Sequence, residues 1–278
     1  MSAPLVMVHL SDLHVHRLPR DARQWLGKRG LGALNVLLRR GRQFPVERMR
    51  RLVRQVAALP WDQLVVTGDL TQLGLREEFA WARELLEPLL ARGPEHVTIL
   101  PGNHDRYVPE AEPGFETYFG EYFRPGPEGV ATRPLAGNWS LAVWDSAIPL
   151  PPFLAGGRVQ PAALAFTERW LEGLPPGARV VVACHYPVCF PPAYRPHRHH
   201  ELTNLEQVRQ WLGAHPVDLY LHGHIHANWV LSMPSGRGSL LAVNSASSSQ
   251  VPRRSDRSAF HRIELDDGPP RVYPLRLE

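Results

Sequence analysis

The segment Gly102-Asn103-His104-Asp105 places an amide oxygen, an imidazole and a carboxylate in consecutive positions behind a glycine. The glycine permits a tight turn and a close approach of the backbone to a ligand. The three side chains that follow are of types that bind metal ions or contact phosphate groups. A motif this short is weak on its own, and in isolation an ordinary polar loop would explain it better.

Four further stretches carry the same kinds of side chain. In chain order the five stretches are Asp12-Leu13-His14, Gly68-Asp69, Gly102-Asn103-His104-Asp105, Cys184-His185-Tyr186-Pro187 and Gly223-His224-Ile225-His226. In extended backbone the side chains of residues i and i+2 point the same way, so we expect Asp12 and His14 to reach the same ion. The repetition of metal-ligating residue types, rather than any one motif, predicts a metal site.

Each of the five stretches follows a short apolar run that predicts a β-strand. Strands are predicted near 5–10, 63–67, 96–100, 140–144, 179–184 and 217–221, and helices near 46–59, 75–91, 161–172 and 204–213. Further strands are predicted near 228–232, 239–243, 259–265 and 271–276. Alternating strands and helices are typical of an α/β layered domain. Because such sheets bind ligands at the carboxyl ends of their strands, the five stretches are expected to meet at one edge.

The composition narrows the class of protein. A chain of 278 residues with 44% hydrophobic and 21% charged residues has ample material for a core, and no linker or repeat divides it, so we expect one domain over 1–278. No apolar run approaches the ~20 residues of a membrane span, and the first strand lacks the flanks of a signal peptide. Two cysteines, Cys184 and Cys189, are too few for a disulfide framework. The expected location is the cytoplasm, with peripheral attachment to the inner face of the membrane as an alternative, and Cys184 is expected to be a buried thiol.

In this order, D-x-H, G-D, G-N-H-D, a single histidine and G-H-x-H resemble the calcineurin-like metallophosphoesterase family, over most of the chain. The resemblance implies an α/β fold, a four-layer αββα sandwich of two mixed β-sheets flanked by helices. It also implies a dinuclear metal centre. One ion would be held by Asp12, His14, Asp69 and His226, and the other by Asp69, Asn103, His185 and His224, with Asp69 bridging.

The chemistry of such a centre follows from its charges. Two divalent ions bring four positive charges and two carboxylates return only two, so the centre attracts anions. Ions roughly 3.5–4 Å apart can lower the pKa of a bridging water towards neutrality and stabilise both sides of an in-line displacement. The predicted reaction is hydrolysis of a phosphate ester, a phosphodiester above others, with the bridging hydroxide as nucleophile. The mixed ligands suit manganese, iron or zinc and do not choose among them.

Other histidines near the motifs have separate expectations. By the same resemblance His104 faces the bound phosphate and stabilises the transition state or protonates the leaving oxygen. Asp105 is either the partner that orients His104 or a hydrogen-bond acceptor within the loop. His9 alternates with Leu10 on the first strand and is expected to be a buried structural imidazole, whereas His222 is a candidate for supporting the ligands.

Residues 17–54 form a strongly basic segment. They hold eleven arginines and Lys28 against Asp21 and Glu47, a charge of +10 in a chain of +4, so the remainder sums to −6. Apolar residues from Val46 to Val56 recur at helical spacing and predict a helix that covers the sheet with its arginines in solvent. For the insertion around 17–44 a solvated face, a cap over the active site and an element that binds an anionic membrane surface remain open. Arginine-rich loops also bind polyanions, but no nucleic-acid fold signature accompanies this one.

The sequence leaves the class of the natural substrate open. Val143-Trp144-Asp145-Ser146, Gly156-Gly157-Arg158 and Arg169-Trp170-Leu171 resemble the class III cyclic nucleotide phosphodiesterases, which would make cAMP the substrate. The insertion departs from the short loop usual in that branch and argues against cAMP. UDP-diacylglucosamine pyrophosphohydrolases share the metal motifs and work at membranes, where a basic, partly apolar cap would be useful.

Two further alternatives concern the rim of the site and the absence of catalysis. Residues 187–200 are predicted to form a mobile rim of the site, and a histidine cluster that collects metal, with His197, His199 and His200, is the competing interpretation. A catalytically silent scaffold that binds polyanions is the alternative outside the enzymes. The complete ligand set favours an enzyme that acts on a small phosphodiester or pyrophosphate, and the oligomeric state is left open.

Overall fold

A computed structural model describes residues 3–195, 198–246, 248–251 and 260–277. The strands are β1 Leu5–Leu10, β2 Gln63–Val66, β3 Val97–Ile99, β4 Val130–Pro134, β5 Trp139–Trp144, β6 Arg179–Ala183, β7 Leu219–His222, β8 Asn228–Ser235, β9 Gly238–Ser245, β10 Phe260–Leu265 and β11 Arg271–Leu275. The α-helices are α1 Gly27–Asn35, α2 Gly41–Gln43, α3 Val46–Ala58, α4 Arg76–Leu90, α5 Glu112–Phe119, α6 Pro161–Glu172 and α7 Leu205–Ala214. A π-helical turn, Val36–Arg40, joins α1 to α2, and short 3-10 turns lie at Ala22–Trp25, Pro109–Ala111 and Arg198–His200.

The strands form two mixed sheets. The first sheet has the order β11-β10-β1-β2-β3, in which β1, β2 and β3 are parallel and β10 and β11 are antiparallel to their neighbours. The second has the order β4-β5-β6-β7-β9-β8, with parallel pairing from β5 to β9 and an antiparallel strand at each edge. The parallel strands therefore end at one edge of each sheet, where the motifs follow them.

The central strands of the second sheet are buried on both faces and pack alternate side chains into two different cores. On β6, Val181 belongs to the core that it shares with the first sheet, whereas Val180 and Val182 pack with residues of α6 and α7. Met49 on α3 and Phe79 on α4 pack in the core of the first sheet. Each sheet is thus covered by the other sheet on one face and by helices on the other. The predicted fold, two mixed sheets flanked by helices, is confirmed.

Some elements differ from the sequence-based prediction. Strand β4 and helix α5 were not predicted, because β4 ends in Pro134 at a sheet edge and α5 contains Pro113 and Gly114, which weaken the usual patterns. Ala259, the first residue of the predicted strand near 259–265, lies outside the described residues. No helix in the described ranges has the length and apolar character needed to cross a membrane.

A buried chain of side chains connects the two sheets below the site. The hydroxyl Oγ of Ser245 on β9 lies 2.8 Å from Nδ1 of His9 on β1 and 2.8 Å from Nδ1 of His261 on β10. The Nε2 atom of His9 lies 2.9 Å from the hydroxyl of Thr67. His9 is fully buried, as predicted for a structural imidazole, and Cys184 is a buried thiol, also as predicted.

These contacts predict a loss of stability in acid. Burial lowers the pKa of His261 from 6.5 to about 4. The unfolded chain therefore binds more protons than the native chain in this range, and stability is lost as the pH falls from about 6.5 towards 4. A shift of this size corresponds to about 3 kcal/mol. In the presence of a metal chelator, the free energy of unfolding measured in urea should depend less on pH in the His261→Asn variant than in the parent. The variant should nevertheless be less stable than the parent at pH 7.

His96, which is only partly buried on the surface near β3, provides the matched control. The His96→Asn variant controls for the replacement of a histidine by asparagine as such. Parallel profiles for the parent and His261→Asn would show that the protonation of His261 does not drive the acid transition.

Candidate metal centre

The predicted ligands lie together where the strands of both sheets end. Asp12 and His14 follow β1, Asp69 follows β2, Asn103 follows β3, His185 follows β6, and His224 and His226 follow β7. Three groups of side chains present donor atoms within 4.8 Å of one another. They are Asp12, His14 and His226; His14, Asp69 and His104; and Asp69, His185 and His224. The structure thus brings the predicted set into one cluster, and the assignment as metal ligands remains a prediction.

The backbone at the cluster is strained. Asp12, His14, Asp69 and His224 have φ angles of 57°, 52°, 55° and 69°, in the left-handed region that side-chain-bearing residues seldom adopt. The prediction that Asp12 and His14 converge through extended backbone is therefore wrong in its geometry. The loops after β1 and β2 hold this conformation, because N–H of Asp12 donates to Gly68 O at 3.0 Å and N–H of His14 to Asp69 O at 2.9 Å.

Two glycines permit the close packing of these loops. A Cβ atom at Gly102 would lie 2.2 Å from Oδ1 of Asp69, and one at Gly223 would lie 2.4 Å from Oδ2 of Asp12. Any other residue would push the carboxylates out of place. The glycines of the two motifs are thus explained by the approach of backbone to the carboxylates.

The first donor group surrounds Asp12. Its Oδ2 accepts a hydrogen bond from the backbone N–H of His224 at 2.9 Å, which leaves Oδ1 facing His226 Nε2 at 3.2 Å and His14 Nε2 at 3.6 Å. The two ring nitrogens are 2.9 Å apart. Oδ1 is buried and makes no hydrogen bond with the described residues. A cation between these atoms would satisfy an oxygen that the protein leaves unpaired.

The second donor group consists of Asn103, His185 and His224. The amide oxygen of Asn103 lies 2.8 Å from Nδ1 of His224 and 3.1 Å from Nε2 of His185, and the two nitrogens are 3.3 Å apart. The outer nitrogens of the rings face carbonyl oxygens, Thr67 O at 2.7 Å and His200 O at 2.8 Å. A carbonyl can only accept, so each outer nitrogen carries the hydrogen and each inner nitrogen directs a lone pair inwards. Three acceptors therefore face one another.

Asp69 lies between the two groups. Its Oδ2 is 3.7 Å from Nε2 of His14, and its Oδ1 is 3.6 Å from Nε2 of His185 and accepts the N–H of His104 at 2.8 Å. Burial raises the pKa of Asp69 well above its usual range, and the carboxylates of Asp12 and Asp105 add to the rise. One oxygen thus points towards each group, and the buried negative charge would be stabilised by cations.

The histidines of the cluster are neutral at physiological pH. Burial lowers the pKa of His14 to about 3, and it also lowers the pKa values of His185, His224 and His226. In His185 and His224 the lone pair of the neutral imidazole faces the cluster, so no proton has to be displaced from these two rings. The donor set of carboxylate, amide oxygen and neutral imidazole fits manganese, iron or zinc.

His104 belongs to this cluster through its donor atom, which lies within 4.8 Å of those of His14 and Asp69, and Gln72 orients its ring. Its Nδ1 lies 2.7 Å from the carbonyl oxygen of Gln72, its ring stacks on Tyr107 with centroids 5.4 Å apart, and burial lowers its pKa. His104 also lines the cavity described below. Its opposite nitrogen is therefore available to the site.

Asp105 does not orient His104 in this arrangement. Its two oxygens accept hydrogen bonds from the backbone N–H groups of Leu70, Thr71 and Gly102 and from the Thr71 hydroxyl, at 2.9–3.1 Å. Of the two interpretations that the sequence left open for Asp105, these hydrogen bonds match the loop acceptor. The physical reason is that a buried carboxylate satisfies the N–H groups of two neighbouring loops, which holds the turn before Asn103 in place.

Two residues of the insertion reach the cluster, and their contacts with the candidate ligands were not predicted from the sequence. Nη1 of Arg40 lies 3.2 Å from Nδ1 of His226, and the buried Phe44 ring lies 4.6 Å from the ring of His14. A cavity of about 220 Å³ opens here. Its lining includes Arg40, Asp69, Asn103, His104, Ala155, Tyr194, His200 and His224. A larger cavity of about 610 Å³ lies near Arg17 and Trp81 and contains none of the three donor groups. Nothing in the sequence distinguishes Arg40 from the ten other arginines of the segment.

The remaining predictions about histidines have mixed outcomes. His222 is buried against Trp229 and Tyr220, and its Nε2 has no partner among the described residues, so its contacts give no support to a role behind the ligands. His200 and Tyr194 line the cavity, as expected of a rim. The backbone carbonyl of His200 faces Nε2 of His224 at 2.8 Å, and His197 lies outside the described residues.

Comparisons with known sequences and structures identify the family of this chain. The sequence profile of the calcineurin-like phosphoesterases matches residues 5–228. No curated protein matches the chain. Among solved structures, a dimetal phosphatase from Danio rerio superimposes with a TM-score of 0.66 at 14% identity and covers 98% of this chain and 99% of its own.

Two other structures share the fold at similar distance. Purple acid phosphatase from yellow lupin has a TM-score of 0.55 at 13% identity, over 95% of this chain and 50% of its own. The NAD nucleotidase of Haemophilus influenzae has a TM-score of 0.52 at 9% identity, over 97% of this chain and 49% of its own. These likenesses support the fold, and the profile match covers most of the sequence. The chain belongs to the calcineurin-like phosphoesterase family.

Proposed function

We propose that this protein is a dinuclear metal-dependent phosphodiesterase. The observation that carries the proposal is the convergence of three acceptor atoms, Asn103 Oδ1, His185 Nε2 and His224 Nδ1, within 2.8–3.3 Å of one another. Three buried lone pairs at this separation repel one another unless a cation lies between them. The unpaired Asp12 Oδ1 marks the second position, on the other side of Asp69.

One ion would be held by Asp12, His14, Asp69 and His226, and the other by Asp69, Asn103, His185 and His224. The chemistry that two bound ions would supply is a water of lowered pKa and charge stabilisation on both sides of an in-line displacement at phosphorus. The protein contributes the fixed positions of the donors. Thr67 and His200 fix the ring tautomers of the second group through their carbonyl oxygens.

Two side chains outside the ligand set act on the substrate in this proposal. His104 lines the cavity beside Asn103, and the Gln72 carbonyl holds the hydrogen on Nδ1. Its Nε2 donates to the leaving oxygen once the bound anionic substrate has favoured the protonated ring. Arg40 presents a permanent positive charge to the same cavity and binds a non-bridging oxygen or a neighbouring anionic group of the substrate. The guanidinium therefore favours extended anionic substrates.

The insertion around 17–44 forms a cap at one side of the cavity in this proposal, as part of a single domain over 1–278. Its attachment is specific, since Arg29 donates through Nη2 to Gly74 O at 2.8 Å and Lys28 through Nζ to Leu150 O at 2.9 Å. Through Arg40 and Phe44 the cap contacts two of the proposed ligands, His226 and His14. Such a cap favours a phosphodiester or pyrophosphate with a large leaving group over cAMP.

The test combines metal analysis with a substrate panel. Protein purified without chelator should contain close to two transition-metal ions per chain and hydrolyse bis-p-nitrophenyl phosphate. Cyclic nucleotides, glycerophosphodiesters and UDP-sugar lipids compared side by side should show a preference for a non-cyclic substrate. If the protein binds none of Mn²⁺, Fe²⁺ and Zn²⁺, the proposed enzyme is wrong and the catalytically silent scaffold is the alternative. If cAMP alone is cleaved efficiently, the substrates are cyclic nucleotides and the proposed substrate class is wrong.

A further inference from the structure

Exposed apolar side chains are concentrated in the insertion. Of the eleven large apolar side chains exposed in the described part of the chain, seven lie between residues 18 and 38. They are Leu18, Trp25, Leu26, Leu31, Leu34, Leu37 and Leu38. Leu26 and Leu38 are 74% and 63% exposed. A collection of this kind on one segment marks an interaction surface, because scattered single residues are the usual pattern.

In the helical segment 27–43 the small side chains are buried and the large apolar ones are exposed, which is the reverse of an ordinary surface helix. Its buried positions carry small side chains, Gly32, Ala33 and Val36, which pack against Leu73 and Leu75. A Cβ at Gly32 would lie 2.5 Å from Leu73 Cδ2, so the close contact requires the glycine.

Leu31, Leu34, Leu37 and Leu38 lie outwards at helical spacing, and we call these four residues the leucine face. An ordinary surface helix would bury its leucines. In this segment the small residues make the internal contact, and the leucines are exposed to a binding partner.

The charge around the leucine face limits the choice of partner. Between residues 17 and 42 the chain has seven arginines and Lys28, and Asp21 is the one acidic residue. Arg20, Arg23, Arg39 and Arg42 are exposed on the same segment as the leucines. Leucine and tryptophan side chains surrounded by arginines match the boundary between the acyl chains and the phosphate headgroups of an anionic bilayer. A second copy of this chain would instead bring the same positive charges together.

A second exposed aromatic lies next to the insertion. Phe153 is 85% exposed and has a φ angle of 70°, a left-handed conformation that costs free energy in a bulky residue. Its loop is tied to the insertion by the hydrogen bond from Lys28 to Leu150 O, and Ala155 in the same loop lines the cavity. Exposed apolar groups therefore border the site from two segments of the chain.

We propose that residues 17–43 dock on an anionic lipid bilayer, with the leucine face inserted at the headgroup boundary and the arginines against lipid phosphates. Arg40 belongs to the same helical segment and lines the cavity, so docking brings the mouth of the site to the lipid surface. The surface is defined by exposure and charge alone and does not depend on the reaction proposed above.

Co-sedimentation with vesicles tests the proposal. The protein should bind vesicles of equal parts phosphatidylglycerol and phosphatidylcholine at low salt and should not bind pure phosphatidylcholine. The Leu34→Gln/Leu37→Gln/Leu38→Gln variant should bind at least tenfold more weakly, since burying one leucine is worth on the order of tenfold in a partition constant. Val230→Gln/Tyr273→Gln, which removes exposed apolar residues elsewhere, should bind like the parent.

The charge contribution has its own matched pair. Arg39→Gln/Arg42→Gln should bind more weakly and lose part of the salt dependence, whereas Arg169→Gln/Arg276→Gln, with the same change in charge, should bind like the parent. Equal binding of the leucine variant and the parent would overturn the proposal. So would an absence of binding to anionic vesicles, or a dimer in sedimentation velocity that dissociates in the leucine variant.

Activity in solution separates docking from misfolding and from the proposed reaction. The leucine variant should hydrolyse bis-p-nitrophenyl phosphate at the parent rate, because the leucine face does not touch the donor groups. If the parent shows no hydrolysis but binds vesicles through the leucine face, the docking surface stands and the proposed function fails. Loss of both vesicle binding and hydrolysis would mean that the triple variant is misfolded, and single Leu→Gln variants would then be measured. Normal vesicle binding by each folded single variant would overturn docking.

Discussion

Asp69→Asn is expected to lower kcat for phosphodiester hydrolysis by at least about 10³-fold and to reduce the metal content below two ions per chain. Asp69 is the residue with one oxygen towards each donor group, at 3.6 Å from His185 Nε2 and 3.7 Å from His14 Nε2. An amide in its place removes a negative charge and leaves only one good ligand oxygen. Kinetics together with elemental analysis of the same preparation measure both effects.

Asp105 provides a control of the same residue type in the same region. Both carboxylates are buried, but the Asp105 oxygens accept hydrogen bonds from loop N–H groups and the Thr71 hydroxyl. Asp105→Asn should therefore lower the thermal midpoint more than Asp69→Asn does, and retain more metal. Two ions per chain and parental kcat in Asp69→Asn would remove Asp69 from the centre and with it the ligand assignment.

The fold and the convergence of the candidate ligands were predictable because they depend on local patterns. A short apolar run followed by a metal-ligating side chain identifies the end of a strand, and this signal occurs after β1, β2, β3, β6 and β7. A glycine precedes the ligand type after β2, β3 and β7. The packing of Val181 and Val182 into different cores follows from the period of a strand. Neither inference requires knowledge of which loops touch.

The features that were not predictable all depend on contacts between distant parts of the chain. The left-handed conformations of Asp12 and His14 are held by carbonyls of the loop after β2. Arg40 reaches His226 across 186 positions because a π-helical turn and the packing of Gly32 direct the insertion there. The choice of Gln72, rather than Asp105, as the partner of His104 likewise depends on how two loops meet. Residue type alone contains none of this information.

His104→Ala is expected to lower kcat by about 10²- to 10⁴-fold for substrates with poor leaving groups, while the metal content stays close to that of the parent. His104 lies next to Asn103 in sequence, but its Nδ1 faces the carbonyl of Gln72 at 2.7 Å and its ring stacks on Tyr107. It lines the cavity and has a donor atom close to those of His14 and Asp69, but neither of the two proposed ligand sets includes it. Its removal should therefore leave the ions in place and take away a proton donor.

The dependence on the leaving group distinguishes proton donation from phosphate binding. A series of aryl phosphodiesters whose phenols differ in pKa should show the largest loss with the most basic phenolate and the smallest with p-nitrophenolate, which departs without protonation. The slope of log kcat against the pKa of the phenol should be steeper in His104→Ala than in the parent. His104→Gln, which can donate a hydrogen bond but cannot transfer a proton at neutral pH, should show the same steep slope with a lower KM than His104→Ala. Equal losses across the series would assign the imidazole to binding the phosphate, where its contribution does not depend on the group that leaves.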